Sequence, residues 1–97
     1  MADLDRAVDL LRAWLGDEVL VRLDPDGAVM RGLLREADAA GLDGAAFALE
    51  EEGAGTPPTG VAIALFRDAV RLVATDERQL VVEQGRVRIT VRRCQAG

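Results

Sequence analysis

The side chains that this chain lacks limit its chemistry more than those it has. Its 97 residues include no His, Tyr, Ser, Asn or Lys. That excludes serine–histidine and lysine nucleophiles, Schiff bases, imidazole metal sites and the Walker-type phosphate loop together. The reactive inventory reduces to carboxylates, arginines, four threonines and Cys94. No pair of carboxylates has a spacing that suggests a shared acid–base site, so the residues argue against an enzyme and imply no cofactor. Asp38 and Asp43, beside Gly41 and Gly44, come nearest to a hard-cation loop. A third close carboxylate and an alternating ligand spacing are missing, so no metal site is expected.

Arginine remains as the group able to recognise a ligand by charge. A net charge of −5 opposes a broad footprint for nucleic acid, because phosphate affinity comes mainly from cations. The distribution is uneven, however: Arg86, Arg88, Arg92 and Arg93 fall within residues 85–97, which contain no acid. Arg86, Arg88 and Arg92 are therefore the candidate nucleic-acid-binding residues to which charge alone points. The alternative is that the C-terminal arginines are solvated side chains on an edge strand. Aromatic residues make up 3% of the chain, which leaves few platforms on which single-stranded bases could stack.

The elements that must position these arginines can be read from periodicity. Residues 1–97 are too few for two self-sufficient cores, so one domain is expected. Residues 1–15 have helical spacing: Leu4, Val8, Leu11 and Leu15 fall on one stripe, Asp3 or Asp5 can cap the start, and Gly16 suits the end. Trp14 reads as a core anchor across the mouth of the fold. Val19, Val21 and Leu23 then alternate with polar residues, Asp24-Pro25-Asp26-Gly27 supplies a turn, and a second strand starts at Ala28. In that strand Val29 and Leu33 point one way and Met30 and Leu34 the other, with Gly32 between them. This pattern predicts a strand bent at Gly32 that hands its apolar face from one sheet to another.

Further along, residues 45–50 alternate with Phe47 and Leu49 inward, and Glu50-Glu51-Glu52 ends the strand on solvent. Residues 53–60, GAGTPPTG, form the most loop-like segment. Residues 61–75 fit two short strands kinked at Arg67-Asp68, or one helix with Ile63, Phe66, Val70 and Val73 on a stripe; dense β-branching favours the strands. Residues 79–83 and 86–92 read as a second hairpin, with Val87, Ile89 and Val91 opposite Arg88, Thr90 and Arg92. The apolar runs are broken well short of a membrane span, no basic and apolar leader opens the chain, and Cys94 has no partner for an internal disulfide. A cytoplasmic location and no membrane association are expected.

A short helix ending in Leu-Gly, the strand Glu18-Val19-Leu20-Val21-Arg22-Leu23, a tight turn, Val29-Met30-Arg31-Gly32-Leu33-Leu34 and an Asp resemble the first motif of Sm and Sm-like proteins. Ala64-Leu65-Phe66-Arg67-Asp68-Ala69-Val70-Arg71-Leu72-Val73 is similar to their second motif. The likeness covers residues 3–74, and other SH3-like small barrels share the hairpin with a glycine in its second strand. The resemblance implies a mainly β fold: a helix (1–15), a small, strongly bent SH3-like or Sm-like β-barrel (16–75) and an extra C-terminal hairpin (76–97). It also implies a homo-oligomeric ring made by edge-to-edge strand pairing that binds single-stranded RNA at its inner loops. Sm-like proteins place an Asn in the first motif, where this chain offers only Asp38 and Asp43, and their Arg-Gly is here Arg67-Asp68. These departures favour a non-enzymatic module that oligomerises and binds a protein partner, with single-stranded RNA binding through Arg67, Arg71 and the C-terminal arginines as the alternative.

Overall fold

The computed structural model describes residues 3–38, 41, 43–51 and 61–94. Helix α1 (Asp3–Ala13) is followed by seven strands: β1 (Glu18–Asp24), β2 (Ala28–Ala37), β3 (Gly44–Glu50), β4 (Ile63–Phe66), β5 (Val70–Thr75), β6 (Gln79–Gln84) and β7 (Val87–Arg93). All belong to one antiparallel sheet of order β4-β3-β2-β1-β7-β6-β5. The expected helix, both hairpins and the division of residues 61–75 into two strands are present. The loop expected over residues 53–60 lies outside the described residues.

The helix differs from its predicted stripe at one end. It stops at Ala13, Gly16 follows at φ 88°, and Leu15 is turned outward while Trp14 and Ala7 join Leu4, Val8 and Leu11 in the core. Neither candidate cap serves only its own helix. Asp3 Oδ2 accepts the backbone N–H of Leu72 in β5 at 2.9 Å, and Asp5 lies 3.8 Å from Arg67. The helix packs mainly on β5, with further contacts to β3 and β6. It thus covers the inside of the sheet where the two ends of the strand order approach each other.

Strand β2 makes the bend, but in a different way from that predicted. Its first half pairs with β1, from Leu23↔Ala28 to Glu18↔Leu33, and its second half pairs with β3, from Leu33↔Glu50 to Ala37↔Ala46. The partner changes at Leu33; the face does not. Leu34 is fully buried, Met30 packs against the core from the same side, and Val29 is exposed. In a sheet rolled around one core the concave face stays continuous, so a strand can change neighbours without turning over. Gly32 sits at the handover because β3 passes close by: a Cβ there would lie 2.8 Å from the Glu50 carbonyl oxygen and 3.1 Å from Leu49 Cβ.

The closed barrel expected from the sequence is corrected to a rolled, open sheet. Seven strands that alternate in direction leave the two outermost, β4 and β5, running the same way. Closing the ring would require a parallel ladder between strands joined only by Arg67, Asp68 and Ala69, far too short for a parallel crossover. Instead β5 continues the path of β4 after a tight turn, in which Ala69 N–H bonds Phe66 O at 3.0 Å, and takes β6 as its neighbour in place of β3. The C-terminal hairpin is built into the sheet, with β7 between β1 and β6, so Arg88, Arg92 and Arg93 stand on an interior strand and not on an edge. The core contains Phe47, Ile63, Leu65, Leu80, Val82, Val19, Val21 and Val91 together with the helix stripe. Among the described residues no helix is long and apolar enough to cross a membrane.

Candidate functional site

The most distinctive local geometry is the seam where β4 comes to β6 across the opening. Gln84, the last residue of β6, reaches over to the outward edge of β4. Its Oε1 accepts the Phe66 N–H at 2.6 Å and its Nε2 donates to the Ala64 carbonyl at 2.8 Å. The same glutamine is the register partner of Val70 in β5 and Val87 in β7. Phe66 and Val87, each 42% exposed, therefore flank it.

Four of the five predicted arginines gather around this seam. Arg67 follows Phe66, Arg86 lies in the β6–β7 turn, and Arg71 and Arg88 are the register partners of Glu83 on its two sides. Arg92 stands apart, at the far end of β7. There it lines an open depression of about 330 Å³ with Asp76, Glu77, Arg78 and Gln79. The polar groups of that depression are engaged locally, since Asp76 Oδ1 accepts the backbone N–H groups of Arg78 and Gln79.

Gathering these cations does not make a strongly positive surface. Arg67 Nε donates to Asp43 at 3.0 Å, with Asp5 at 3.8 Å, and the hydrogen bond and charge of Asp43 hold its guanidinium above the ordinary arginine pKa. Arg88 is paired with Glu83 at 2.7 Å. The outer face repeats the pattern in Arg31–Glu18 at 2.9 Å, Arg35–Glu50 at 2.6 Å and Arg22–Asp24 at 3.2 Å. Exposed pairs of this kind add little stability, but each takes a cation away from a phosphate. Arg93 has a structural role: it donates to Asp17 at 3.0 Å and lies over the buried Trp14 ring at 5.9 Å. Among the described residues Arg71, Arg86 and Arg92 form no ion pair.

Asp43, read from the sequence as the edge of a possible cation loop, is thus the acceptor for Arg67. Among the described residues no group of three or more His, Cys, Asp or Glu is placed to hold a metal ion. Sequence reasoning missed Gln84, Phe66 and Asp3 as residues of the seam and edges. For Phe66 a signal existed, because Val61-Ala62-Ile63-Ala64-Leu65-Phe66 is an uncharged run ending at a turn. Gln84 had none, since before a glycine it reads only as a turn residue. Comparison of the chain with models of known families, with curated proteins and with solved structures finds no match.

Proposed function

We propose that this chain is a non-enzymatic binding module, distantly Sm-like in its small, strongly bent sheet, that acts by self-association and protein-partner contacts at the β4 edge and its seam. The observation that carries the reading is the character of that edge. Val61 and Phe66 are exposed, the run from Val61 to Phe66 has no charge, proline or glycine, and its last four residues form an outermost strand. Natural proteins usually blunt such edges with charge or proline, because an uncharged edge is a template for another strand. Both outermost strands are partly occupied: Gln84 holds Phe66 N–H and Ala64 O on β4, and Asp3 holds Leu72 N–H on β5, where a bulge also interrupts the register between Leu72 and Ala74. The single free Cys94 supports a reducing, cytoplasmic setting.

A four-residue edge buries less than a permanent dimer needs, so the association is weak, with Kd on the order of micromolar to millimolar. Sedimentation velocity should show a sedimentation coefficient that rises with concentration up to about 1 mM. Phe66→Asp, which places a charge at the exposed end of β4, should hold the protein at the monomer value. A wild-type protein that stays monomeric over the same range would sink the reading.

Single-stranded RNA remains the second reading because Arg71 and Arg86 are unpaired beside the seam. Labelled poly-U retained at low salt, and released by Arg71→Ala with Arg86→Ala, would favour it. The expected result is weak or no retention, since only a few cations are free and phosphate affinity scales with their number.

A further inference from the structure

We infer that the Gln84 side chain is a strap across the opening of the sheet, and that β4 swings open as a unit when the strap is released. The device lies within one molecule and operates in a strict monomer. Strand parity denies the main chain a closing ladder, because β4 and β5 run the same way and only Arg67, Asp68 and Ala69 join them. A side-chain amide carries the same C=O and N–H groups as a peptide bond and can stand in for one. In a parallel ladder a residue bonds the N–H and the C=O of the two residues that flank its partner. Gln84 makes that pattern around Leu65, accepting from Phe66 N–H at 2.6 Å and donating to Ala64 O at 2.8 Å. One side chain thus supplies a single parallel rung across the opening.

The two ends of the strap are unequally held. The Gln84 main chain is in register with Val70 of β5 and Val87 of β7, so a ladder fixes it on each side. Strand β4 has its one ladder with β3, and the flanking bonds from Ala62 N–H to Phe47 O at 2.9 Å and from Arg67 N–H to Asp43 O at 2.8 Å run to that same side. Across the seam its hydrogen bonds go to Gln84. Releasing β4 there requires rotation of one side chain and breaks no ladder of β6. Short edge elements held in this way open at free energies below that of global unfolding. The side chains of β4 that opening uncovers are Ile63 and Leu65, both fully buried. Gln84 therefore sets how often the apolar interior behind β4 meets solvent.

Amide hydrogen exchange of the dilute protein tests this in two arms. In the wild type, the Ile63, Leu65 and Phe66 amides should exchange through one shared opening that depends weakly on urea, whereas the amides of interior strand β1 exchange more slowly and with the full urea dependence of global unfolding. The second arm is Gln84→Met, which keeps the length of the side chain and removes both hydrogen bonds. Phe66 loses its own acceptor in this variant, but Ile63 and Leu65 point their amides to β3 by strand alternation. These two should nevertheless exchange about tenfold faster, the factor expected for two neutral hydrogen bonds that opening no longer has to break. Where Gln84→Met does not fold, Gln84→Glu takes its place; it keeps an acceptor for Phe66, loses the donor to Ala64, and should speed Ile63 and Leu65 several-fold. Faster exchange of Phe66 alone in either variant overturns the strap, since Gln84 would then only cap one amide. Wild-type Ile63 and Leu65 amides that exchange together with those of β1 overturn the separate opening of β4.

Discussion

Replacing Phe47 with alanine should cost about 3–5 kcal/mol, a large part of the roughly 5–15 kcal/mol by which a domain of this size is stable. Phe47 is fully buried in β3 and heads the fully buried side chains by size. It stands opposite Glu36 of β2 and Ile63 of β4, so it faces the core where β2 has just changed partners. Truncation leaves a cavity in the part of the sheet held by the fewest strands. Urea unfolding should show a much lower midpoint with an unchanged slope. A loss below about 1 kcal/mol would mean that the site collapses around the smaller side chain, and that the β2–β3–β4 layer is less tightly packed than described.

Gly44→Ala should be nearly as damaging, although it adds a single methyl group. Gly44 opens β3 opposite Phe66, and β4 lies directly against it. A Cβ would overlap the Leu65 carbonyl oxygen and come within 2.9 Å of its carbon and 3.1 Å of Phe66 Cα. Every contact is with backbone, so no side chain can rotate away, and β3 and β4 must separate. The expected loss is about 3 kcal/mol, at the upper end of overpacking costs, measured by the same unfolding experiment. Displacing β4 also carries Phe66 away from Gln84. The Phe66 amide should therefore exchange faster in Gly44→Ala, linking the packing defect to the seam. A variant with wild-type stability would show that β3 and β4 are not in such close contact.

Much of the architecture was legible locally. The alternation of Val19, Val21 and Leu23 and the turn around Gly27 announce the first hairpin, because a half-buried strand must repeat every second residue. Trp14 was placed in the core by its position at the end of an apolar helix. Residues 61–75 were ambiguous because both periods fit them, and what decided for strands was the availability of β3 and β6 as neighbours. Leu15 fits the helical stripe by spacing but lies outside the core, because the helix ends at Ala13. The face of β2 is equally hidden in the sequence: Val29 and Met30 are both apolar, and only the roll of the sheet makes one outward and the other inward. The availability of the candidate arginines has no local mark in the sequence. Whether Arg67 can meet a phosphate depends on Asp43 and Asp5, one 24 residues away and the other on the helix.

By itself the sequence determined the element types, most of the buried side chains and the poverty of catalytic groups. Each of these follows from residue type and short-range period. Only the tertiary structure decided that the sheet stays open, that β7 is interior and that Gln84 and Asp3 guard the two outer strands. The interior place of β7 depends on its ladders with β1 and β6, and the guarding of the outer strands on hydrogen bonds between residues 18, 20 and 69 positions apart, from Phe66 to Gln84, Gln84 to Ala64 and Leu72 to Asp3. A glutamine before a turn and an aspartate at a helix start carry no local mark of such partners. Their roles arise from the parity of the strands, which leaves β4 and β5 parallel, not paired with each other and in need of other groups to satisfy their outer edges.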